Sequence, residues 1–349
     1  MSIEDDVRAH GAALGFHRVG IARAEPLDED HAHYRAFVAA GLHGEMDYLA
    51  ANASARARVD TDDILLGARS VIVCALAYHR DASLEPQGPE GSVIARYARG
   101  ADYHNFFRKR VRRMASWLRA HLPGAHTRAT VDTAPVLERA WARRAGVGFV
   151  GKNGLVIVPG IGSYVLLGEV VTSLELTPDE PMASRCGECT RCLEACPTNA
   201  FVAPFVLDAR RCVSYLTIEQ RGAIPLEMRA QVGNRLFGCD DCQDVCPYNR
   251  TAPPSPESTA QFALGNRWRN TDLATLATLD DEQFRALTEG SPLSRPRRVG
   301  LARNAIVVMG NTRERRYLPV LREITANDAD PMLRETAQWA VDTIEAENT

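Results

Sequence analysis

The chain has 349 residues, with 41 lysines and arginines against 44 aspartates and glutamates, and a net charge of −3. This length suffices for two or three domains, and the charge balance excludes a uniformly basic nucleic-acid-binding protein. The acidic N-terminus lacks the basic start of a signal peptide, and no apolar run reaches the roughly 20 residues that span a bilayer. We therefore expect a cytoplasmic protein without membrane contact.

Helices and strands alternate over residues 1–178, as judged from apolar periodicity. Helices are predicted over 3–14, 31–49 with a break at 41–44, 105–122 and 135–145. Strands are predicted over 16–23, 69–78, 128–131, 155–158 and 163–176, and we expect the last two to form a hairpin that turns at 159–162. This order predicts an α/β (α+β) domain of mixed type.

Residues 146–152 read Gly-Val-Gly-Phe-Val-Gly-Lys, which matches the letters of a nucleotide-binding loop. Such a loop follows a strand and opens a helix. Here a predicted helix precedes the segment and a predicted strand follows it, so we reject both NAD and ATP. The glycines instead predict a flexible turn from helix to strand, where backbone can approach a large ligand.

Cysteine spacing is the strongest chemical signal in the chain. A first run has gaps of two, two and three residues and ends in Pro197, which is the ferredoxin pattern for [4Fe–4S] clusters. A second run, formed by Cys239, Cys242 and Cys246, has one cysteine fewer than the first, and Cys212 supplies the missing one. Since the cysteine beside the proline serves the other cluster, two ligand sets follow. They are Cys186, Cys189, Cys192 and Cys246 for one cluster, and Cys196, Cys212, Cys239 and Cys242 for the other.

Two other uses of these cysteines fit the pattern less well. Structural zinc normally takes two separated pairs of cysteines, which fits this pattern less well. Disulfides are rare in the cytoplasm, where thiols stay reduced. The ninth cysteine, Cys74, lies inside a predicted strand, where a small buried apolar residue is the simplest interpretation.

The cluster segment is predicted to run over 179–256 and to be followed by a helical domain over 257–349. Two similar stretches, at 301–305 and 333–337, recur 32 residues apart and resemble HEAT repeats. Such helical repeats present extended surfaces to macromolecules. The alternative is a simple helical cap on the rest of the chain.

Two segments are strongly basic. Residues 285–322 contain nine arginines and two glutamates, and residues 104–128 contain seven lysines and arginines without an acidic residue. Such patches suit a phosphate backbone. The alternative is a solvated helix face.

Asp132 ends a predicted strand just before the proline-initiated helix at Pro135. Binding residues collect at such strand ends in α/β folds. The alternative is that Asp132 or Thr133 caps the helix, with Glu138 and Arg139 on the surface.

Taken together, these residues resemble the epoxyqueuosine reductase family over the whole chain. The resemblance is carried by the eight cysteines, Asp132-Thr-Ala-Pro-Val-Leu-Glu-Arg139, Gly151-Lys-Asn153 and Cys212-Val-Ser-Tyr-Leu-Thr-Ile-Glu219. It implies an oxidoreductase that uses cobalamin and two [4Fe–4S] clusters to convert epoxyqueuosine into queuosine at the wobble position of tRNA. Reduced cobalamin would open the epoxide, and a low-potential donor would supply electrons through the clusters to a monomeric enzyme.

The resemblance also implies roles for individual residues. Asp132 would be the proton donor, and burial against the corrin would keep its carboxyl protonated near neutral pH. Lys152 would reach an anionic side group of the corrin, and the arginines of 285–322 would bind the tRNA backbone. The corrin would be held base-off without a protein histidine on cobalt. Positions near the corrin would be Arg58, Asp132, Val156, Leu167, Ser214 and Glu219.

Three other functions use part of the same pattern. A corrinoid reductive dehalogenase would act on a small molecule, but the N-terminus lacks the export signal expected of one. A two-cluster electron-transfer protein would leave residues 1–178 unexplained. A tRNA-binding module with structural clusters would have no catalysis.

Overall fold

The computed structural model describes residues 2–79, 87–255 and 261–346. The predicted domain boundary at 256/257 lies outside these ranges. The helices are α1 (Ile3–Ala13), α2 (Asp28–Ala39), α3 (Asp47–Ala51), α4 (Tyr103–His121), α5 (Glu138–Arg144), α6 (Arg191–Glu194), α7 (Val213–Ile218), α8 (Leu226–Val232), α9 (Asp241–Asp244), α10 (Pro247–Arg250), α11 (Asn266–Arg269), α12 (Leu273–Thr278), α13 (Asp281–Thr288), α14 (Arg297–Thr312), α15 (Leu318–Asn327) and α16 (Pro331–Glu345). The strands are β1 (Arg18–Arg23), β2 (Ser70–Ala77), β3 (Val93–Ile94), β4 (Thr127–Val131), β5 (Phe149–Val150), β6 (Val156–Ile157), β7 (Val165–Thr172), β8 (Phe201–Ala203), β9 (Val206–Leu207) and β10 (Arg235–Phe237).

The N-terminal half is built on a four-stranded sheet with the order β1-β2-β7-β4. All three ladders of this sheet are antiparallel, so the domain is of the α+β type rather than a wound parallel sheet. Every residue of β2 is buried. A continuous apolar strand is what a central position covered on both faces requires, which explains why this strand was the clearest in the sequence.

Helices cover both faces of the sheet. On one face α1 and α4 pack Val7, Phe107 and Met114 against Ile72 of β2. On the other face α5 packs Trp141 against strand residues that include Val73 and Val171. The predicted helix at 135–145 begins only at Glu138, so residues 132–137 form a loop between β4 and α5. This loop carries Asp132.

The predicted hairpin of 155–158 with 163–176 is wrong. β6 pairs instead with β5, in the register Phe149–Ile157 and Val150–Val156. Only one isolated bridge, Val158 to Gly162, leads from there toward β7. The physical reason is local, since the Gly151 N–H donates to the Leu155 carbonyl at 2.8 Å and closes a tighter turn within the glycine-rich segment. The segment thus forms a short hairpin.

The cysteine-bearing segment contacts both the N-terminal half and the C-terminal helices. β10 pairs in parallel with β3 of the N-terminal half, and a shared core joins Ile94 and Phe237 to the C-terminal helices. The stretches 301–305 and 333–337 lie on α14 and α16, which pack against each other, as α15 does against α16. Assignment of these helices as HEAT-like stays a prediction.

Arg303, which the sequence placed in the basic surface, is completely buried in α14. Its guanidinium donates to the backbone carbonyls of Leu216, Gln220 and Gly222. The residue therefore fastens the C-terminal helices to the segment around α7, and it cannot bind tRNA there. In the described part of the chain, no helix combines the length and apolar character needed to cross a membrane.

Candidate active site

The eight motif cysteines line two separate cavities, four on each. Cys186, Cys189, Cys192 and Cys246 line a small one together with Lys152 and Tyr248. The larger one, which we call the inner cavity, is lined by Cys196, Cys212, Cys239 and Cys242. This grouping is the one that the crossing rule predicts from the sequence, and none of the nine cysteines forms a disulfide.

The thiols suit a polynuclear cluster better than a single ion. Within residues 2–79, 87–255 and 261–346, no three histidine, cysteine or acidic side chains converge on a point that could hold one metal ion. A zinc site needs four ligands around one centre, whereas each iron of a [4Fe–4S] cluster takes one thiolate. Burial raises the pKa of the Cys212 and Cys242 thiols, and a cysteine must lose its proton to bind iron.

The inner cavity has a volume of about 420 Å³ and joins the second cysteine group to the sheet domain. Val156, Val165 and Leu167 supply an apolar wall from β6 and β7. Asp132, Glu138 and Arg139 supply polar groups from the loop after β4 and from α5. Ser214 follows Cys212 at the start of α7. The cavity can accept a large, mainly apolar group that touches both a cluster and a carboxylate.

Asp132 sits at the centre of a hydrogen-bond network. The Tyr103 hydroxyl donates to its Oδ2, and His104 Nε2 lies 2.7 Å from its Oδ1. The other imidazole nitrogen, Nδ1, lies 2.6 Å from the Asp102 carboxylate. Asp102 is also the N-cap of α4 and accepts the His104 backbone N–H. The helix start therefore orients one imidazole between two carboxylates.

This network decides where the proton resides. Burial raises the pKa of Asp132, but the hydrogen bonds from His104 and Tyr103 outweigh it, and the net pKa lies below its usual value. The hydrogen bonds to Asp102 and Asp132 raise the pKa of His104 from 6.5 to about 9. At neutral pH the carboxylate is ionised and the imidazole is protonated. The lowered pKa of Asp132 gives no support to the expectation that its carboxyl itself stays protonated.

A second cavity, of larger volume, also borders Asp132. This outer cavity has a volume of about 680 Å³ and shares Tyr97, Tyr103 and Asp132 with the inner one. Glu219 lines it and accepts a hydrogen bond from Arg295 at 3.1 Å. The Arg295 guanidinium lies 5.5 Å from the centre of the Tyr48 ring, which is 47% exposed.

The structure brings four of the predicted corrin-contacting residues into the inner cavity: Asp132, Val156, Leu167 and Ser214. Glu219 lies instead on the outer cavity. Arg58 lines neither and pairs with Asp60 at 3.2 Å. The Lys152 ammonium donates to the Gly187 carbonyl at 2.7 Å, beside the first cysteine group rather than the inner cavity.

Sequence reasoning missed several residues of the site. The sequence pattern assigns His104 no role in the site, and it assigns Glu138 no chemical role there. The available signal was Asp102-Tyr-His104 at a predicted helix start, since Asp at such a position orients the next residues. No sequence signal links His104 to Asp132, which lies 28 residues later.

Two family models match the chain. Residues 185–249 match the 4Fe-4S double cluster binding domain, which confirms the predicted double-cluster segment. Residues 58–133 match "Epoxyqueuosine reductase QueG, DUF1730".

Curated relatives and solved structures extend over nearly the whole chain. The epoxyqueuosine reductase of Pseudomonas aeruginosa is 43% identical over 97% of this chain and 94% of its own length. That of Escherichia coli K12 is 36% identical over 96% of this chain and 88% of its own length. A crystal structure of epoxyqueuosine reductase with an epoxyqueuosine-modified tRNA-Tyr stem loop is 30% identical with a TM-score of 0.86, covering 98% of this chain and 90% of that one. The chain therefore belongs to the epoxyqueuosine reductase family and is an oxidoreductase.

Proposed function

We propose that this protein reduces epoxyqueuosine to queuosine in tRNA. The observation that carries the proposal is the position of Asp132 between two cavities, with cysteines on the far wall of the inner one. Removal of an epoxide oxygen to leave an alkene consumes two electrons and two protons and releases water. Electrons would arrive from the cysteine side, and the tRNA nucleotide would enter through the outer cavity.

Two [4Fe–4S] clusters and cobalamin are the cofactors that this arrangement would hold. The second cluster would lie against the inner cavity, whose apolar wall of Val156, Val165 and Leu167 suits the corrin. When bound and reduced, cobalamin supplies a nucleophile strong enough to open an epoxide. Three residues predicted to contact the corrin lie away from the inner cavity: Arg58, Lys152 and Glu219. Their positions therefore give no support to those predicted contacts.

Asp132 acts together with His104 in this proposal. The oxygen that leaves carbon becomes basic and needs a proton. His104 holds that proton at neutral pH, and Asp132 lies 2.7 Å from its Nε2. The pair therefore donates as one unit, with Asp102 orienting the imidazole. We also propose that the loop carrying Asp132 can move. A Bacillus subtilis epoxyqueuosine reductase, 29% identical to this chain, is described with its catalytic aspartate loop swung out of the active site.

The tRNA would approach along the outer cavity. The exposed Tyr48 ring offers a stacking surface for an unpaired base, which is how single-stranded RNA loops are commonly bound. A groove of about 540 Å³, the α4 groove, runs beside the site and is lined by Arg108, Arg112, Arg119 and Arg128. It ends at Thr133 and Pro135, next to Asp132, and suits a phosphate backbone.

The remaining predictions concern context. The division into a 1–178 catalytic domain, a 179–256 cluster domain and a 257–349 HEAT-like tRNA-binding domain stays a prediction. So do the monomeric state, the cytoplasmic location and the low-potential electron donor. The alternative of a corrinoid dehalogenase or a plain electron carrier is less well supported, since relatives of 36–43% identity are epoxyqueuosine reductases over nearly full length.

The test begins with anaerobic reconstitution with iron, sulfide and cobalamin, followed by an assay on epoxyqueuosine-containing tRNA. We expect about eight irons, a bound corrin spectrum and conversion to queuosine. Asp132→Asn should lower kcat/KM by about 10²–10⁴-fold, the usual contribution of general acid catalysis. Asp342→Asn, at an exposed site on α16, is the matched control. Iron binding without corrin or turnover would leave an electron-transfer protein.

A further inference from the structure

We infer that Glu138 and Glu169 form an internal proton store behind Asp132 and supply the second proton of the reduction. The inference rests on the proposed function, which requires two protons for each oxygen removed. The His104–Asp132 pair accounts for one of them. Once tRNA fills the outer cavity, the second proton has to come from groups already inside the protein.

Glu169 lies in the middle of β7 and is completely buried. Thr130 of β4 is its cross-strand neighbour, and the Thr130 hydroxyl donates to Glu169 Oε2 at 3.0 Å. The other oxygen, Oε1, has no hydrogen-bond partner within the described chain. Because side chains alternate along a strand, Glu169 points to the same face as Leu167 and Val171, which pack in the core under α5. This carboxyl therefore lies on the sheet face that carries α5.

Glu138 opens α5 on that same face and lines the inner cavity together with Asp132. Its Oε1 is buried and has no hydrogen-bond partner among the residues that the structure covers. The charged groups that face it are Glu169 from β7, Asp132 from the loop after β4, Arg139 from its own helix and Arg56 from the 3₁₀ turn Ser54–Ala57.

A buried carboxyl that serves only to stabilise a fold is normally paired or fully hydrogen-bonded. Here Arg139, the neighbouring cation on the same helix, donates to the Gly154 carbonyl at 2.5 Å, and no ion pair between Arg139 and Glu138 is found among the described residues. Burial and the neighbouring carboxylates raise the pKa of Glu138, and burial raises that of Glu169. Burial therefore favours the protonated form of both groups. Glu138, which lines the inner cavity, and the buried Glu169 each have one oxygen without a hydrogen-bond partner that can receive or pass a proton.

The proton balance is simple. When Asp132 and His104 have given the first proton to the leaving oxygen, Asp132 can take another from Glu138. That proton completes the departing water, and Glu138 becomes a carboxylate. Glu169 or water from the opened cavity then returns a proton to Glu138. No electron moves in these transfers, and the two electrons come through the cysteine-bound clusters.

The test compares Glu138→Gln and Glu169→Gln with wild type, and Glu175→Gln is the matched control at an exposed ion pair with Arg69. Infrared spectra of the reconstituted enzyme at neutral pH should contain carbonyl-stretch bands of protonated carboxyls that shift in heavy water. We expect each site variant to lose one band. Glu138→Gln should lower kcat by about 10² with KM changed less than about twofold, as for loss of a proton-transfer group, and its solvent isotope effect should rise.

The outcomes separate the two proposals. If the wild type does not convert epoxyqueuosine, the proposed function fails. If it does, and Glu138→Gln keeps full kcat or the wild type lacks the carboxylic acid bands, the proton store is refuted. Loss of activity with every band retained would also refute it. If Glu138→Gln does not fold, Glu169→Gln tests the proton store instead. We expect that variant to lose one carboxylic acid band and to have a larger solvent isotope effect, and the absence of both changes would refute the proton store.

Discussion

At the scale of single residues, the site depends on one imidazole held between two carboxylates. Asp102 and Asp132 each approach a different nitrogen of His104, at 2.6 and 2.7 Å. Such a pair of charge-assisted bonds favours the protonated ring and orients it at the same time. The pKa of His104 is raised by its hydrogen bonds with Asp102 and Asp132, and the pKa of Asp132 is lowered by its hydrogen bonds with His104 and Tyr103.

This contact predicts a pH dependence. The pKa of His104 is raised from 6.5 to about 9, so the protonated form is favoured in the folded protein. The free energy by which protonated His104 stabilises the folded protein is fully present below pH 6.5, and it is lost as the pH rises through 9. We expect kcat/KM to fall on the alkaline side with a midpoint near 9, and Asp102→Asn to move that midpoint toward 6.5.

The measurement is the pH dependence of kcat/KM for the reconstituted wild type and for the reconstituted Asp102→Asn variant. Asp342→Asn serves as the control. An alkaline limb that stays in place in Asp102→Asn would mean that His104 is not the proton source. The folded state of each variant can be followed by circular dichroism over the same pH range.

At the scale of elements, two close approaches bring the site together. Strands β4 and β7 place Thr130 opposite Glu169, and α5 lies across them with Glu138 at its start. The end of α5 touches β1 at Gly20, where an added Cβ would lie 2.0 Å from the Ala145 carbonyl oxygen. Only a residue without a side chain lets the helix and the strand lie so close.

Gly20→Ala should therefore destabilise the protein by about 3 kcal/mol, near the upper end of what overpacking a core costs. The obstacle is backbone, which cannot rotate away as a side chain could. Chemical denaturation measures the free energy of unfolding. Gly222→Ala is the control, because a Cβ there meets nothing within 4 Å. Equal stability of the two variants would show that the approach of α5 to β1 is not needed.

At the scale of the whole molecule, the two basic segments turn out to differ. Five of the nine arginines in 285–322 are buried or paired: Arg295, Arg298, Arg303, Arg316 and Arg322. In contrast, Arg108, Lys109, Arg112 and Arg113 on α4 are exposed, and none has an ion pair within the described residues. Basic residues that form no ion pair within the described chain thus remain on both segments, and Arg108 and Arg112 of α4 lie in the groove beside the Asp132 loop.

We therefore expect the α4 groove to hold more of the tRNA backbone than the C-terminal arginines. The double variant Arg108→Gln/Arg112→Gln should weaken tRNA binding and make the slope of log K against log salt shallower by about one per arginine. Arg297→Gln/Arg315→Gln removes two exposed arginines of the C-terminal segment and should have the smaller effect. A larger loss in the second pair would place the tRNA on the C-terminal helices, as the sequence first suggested.

The sequence by itself determined the double-cluster segment, the family and most helices and strands of the N-terminal half. These depend on local spacing: cysteines two or three residues apart, apolar periodicity, and a buried strand such as β2. Only the tertiary structure decided that His104 binds Asp132, that Arg303 is buried and that β6 pairs with β5. Each of these depends on contacts between distant parts of the chain. The pKa of Asp132 likewise depends on Tyr103 and His104, neighbours that only folding brings next to it.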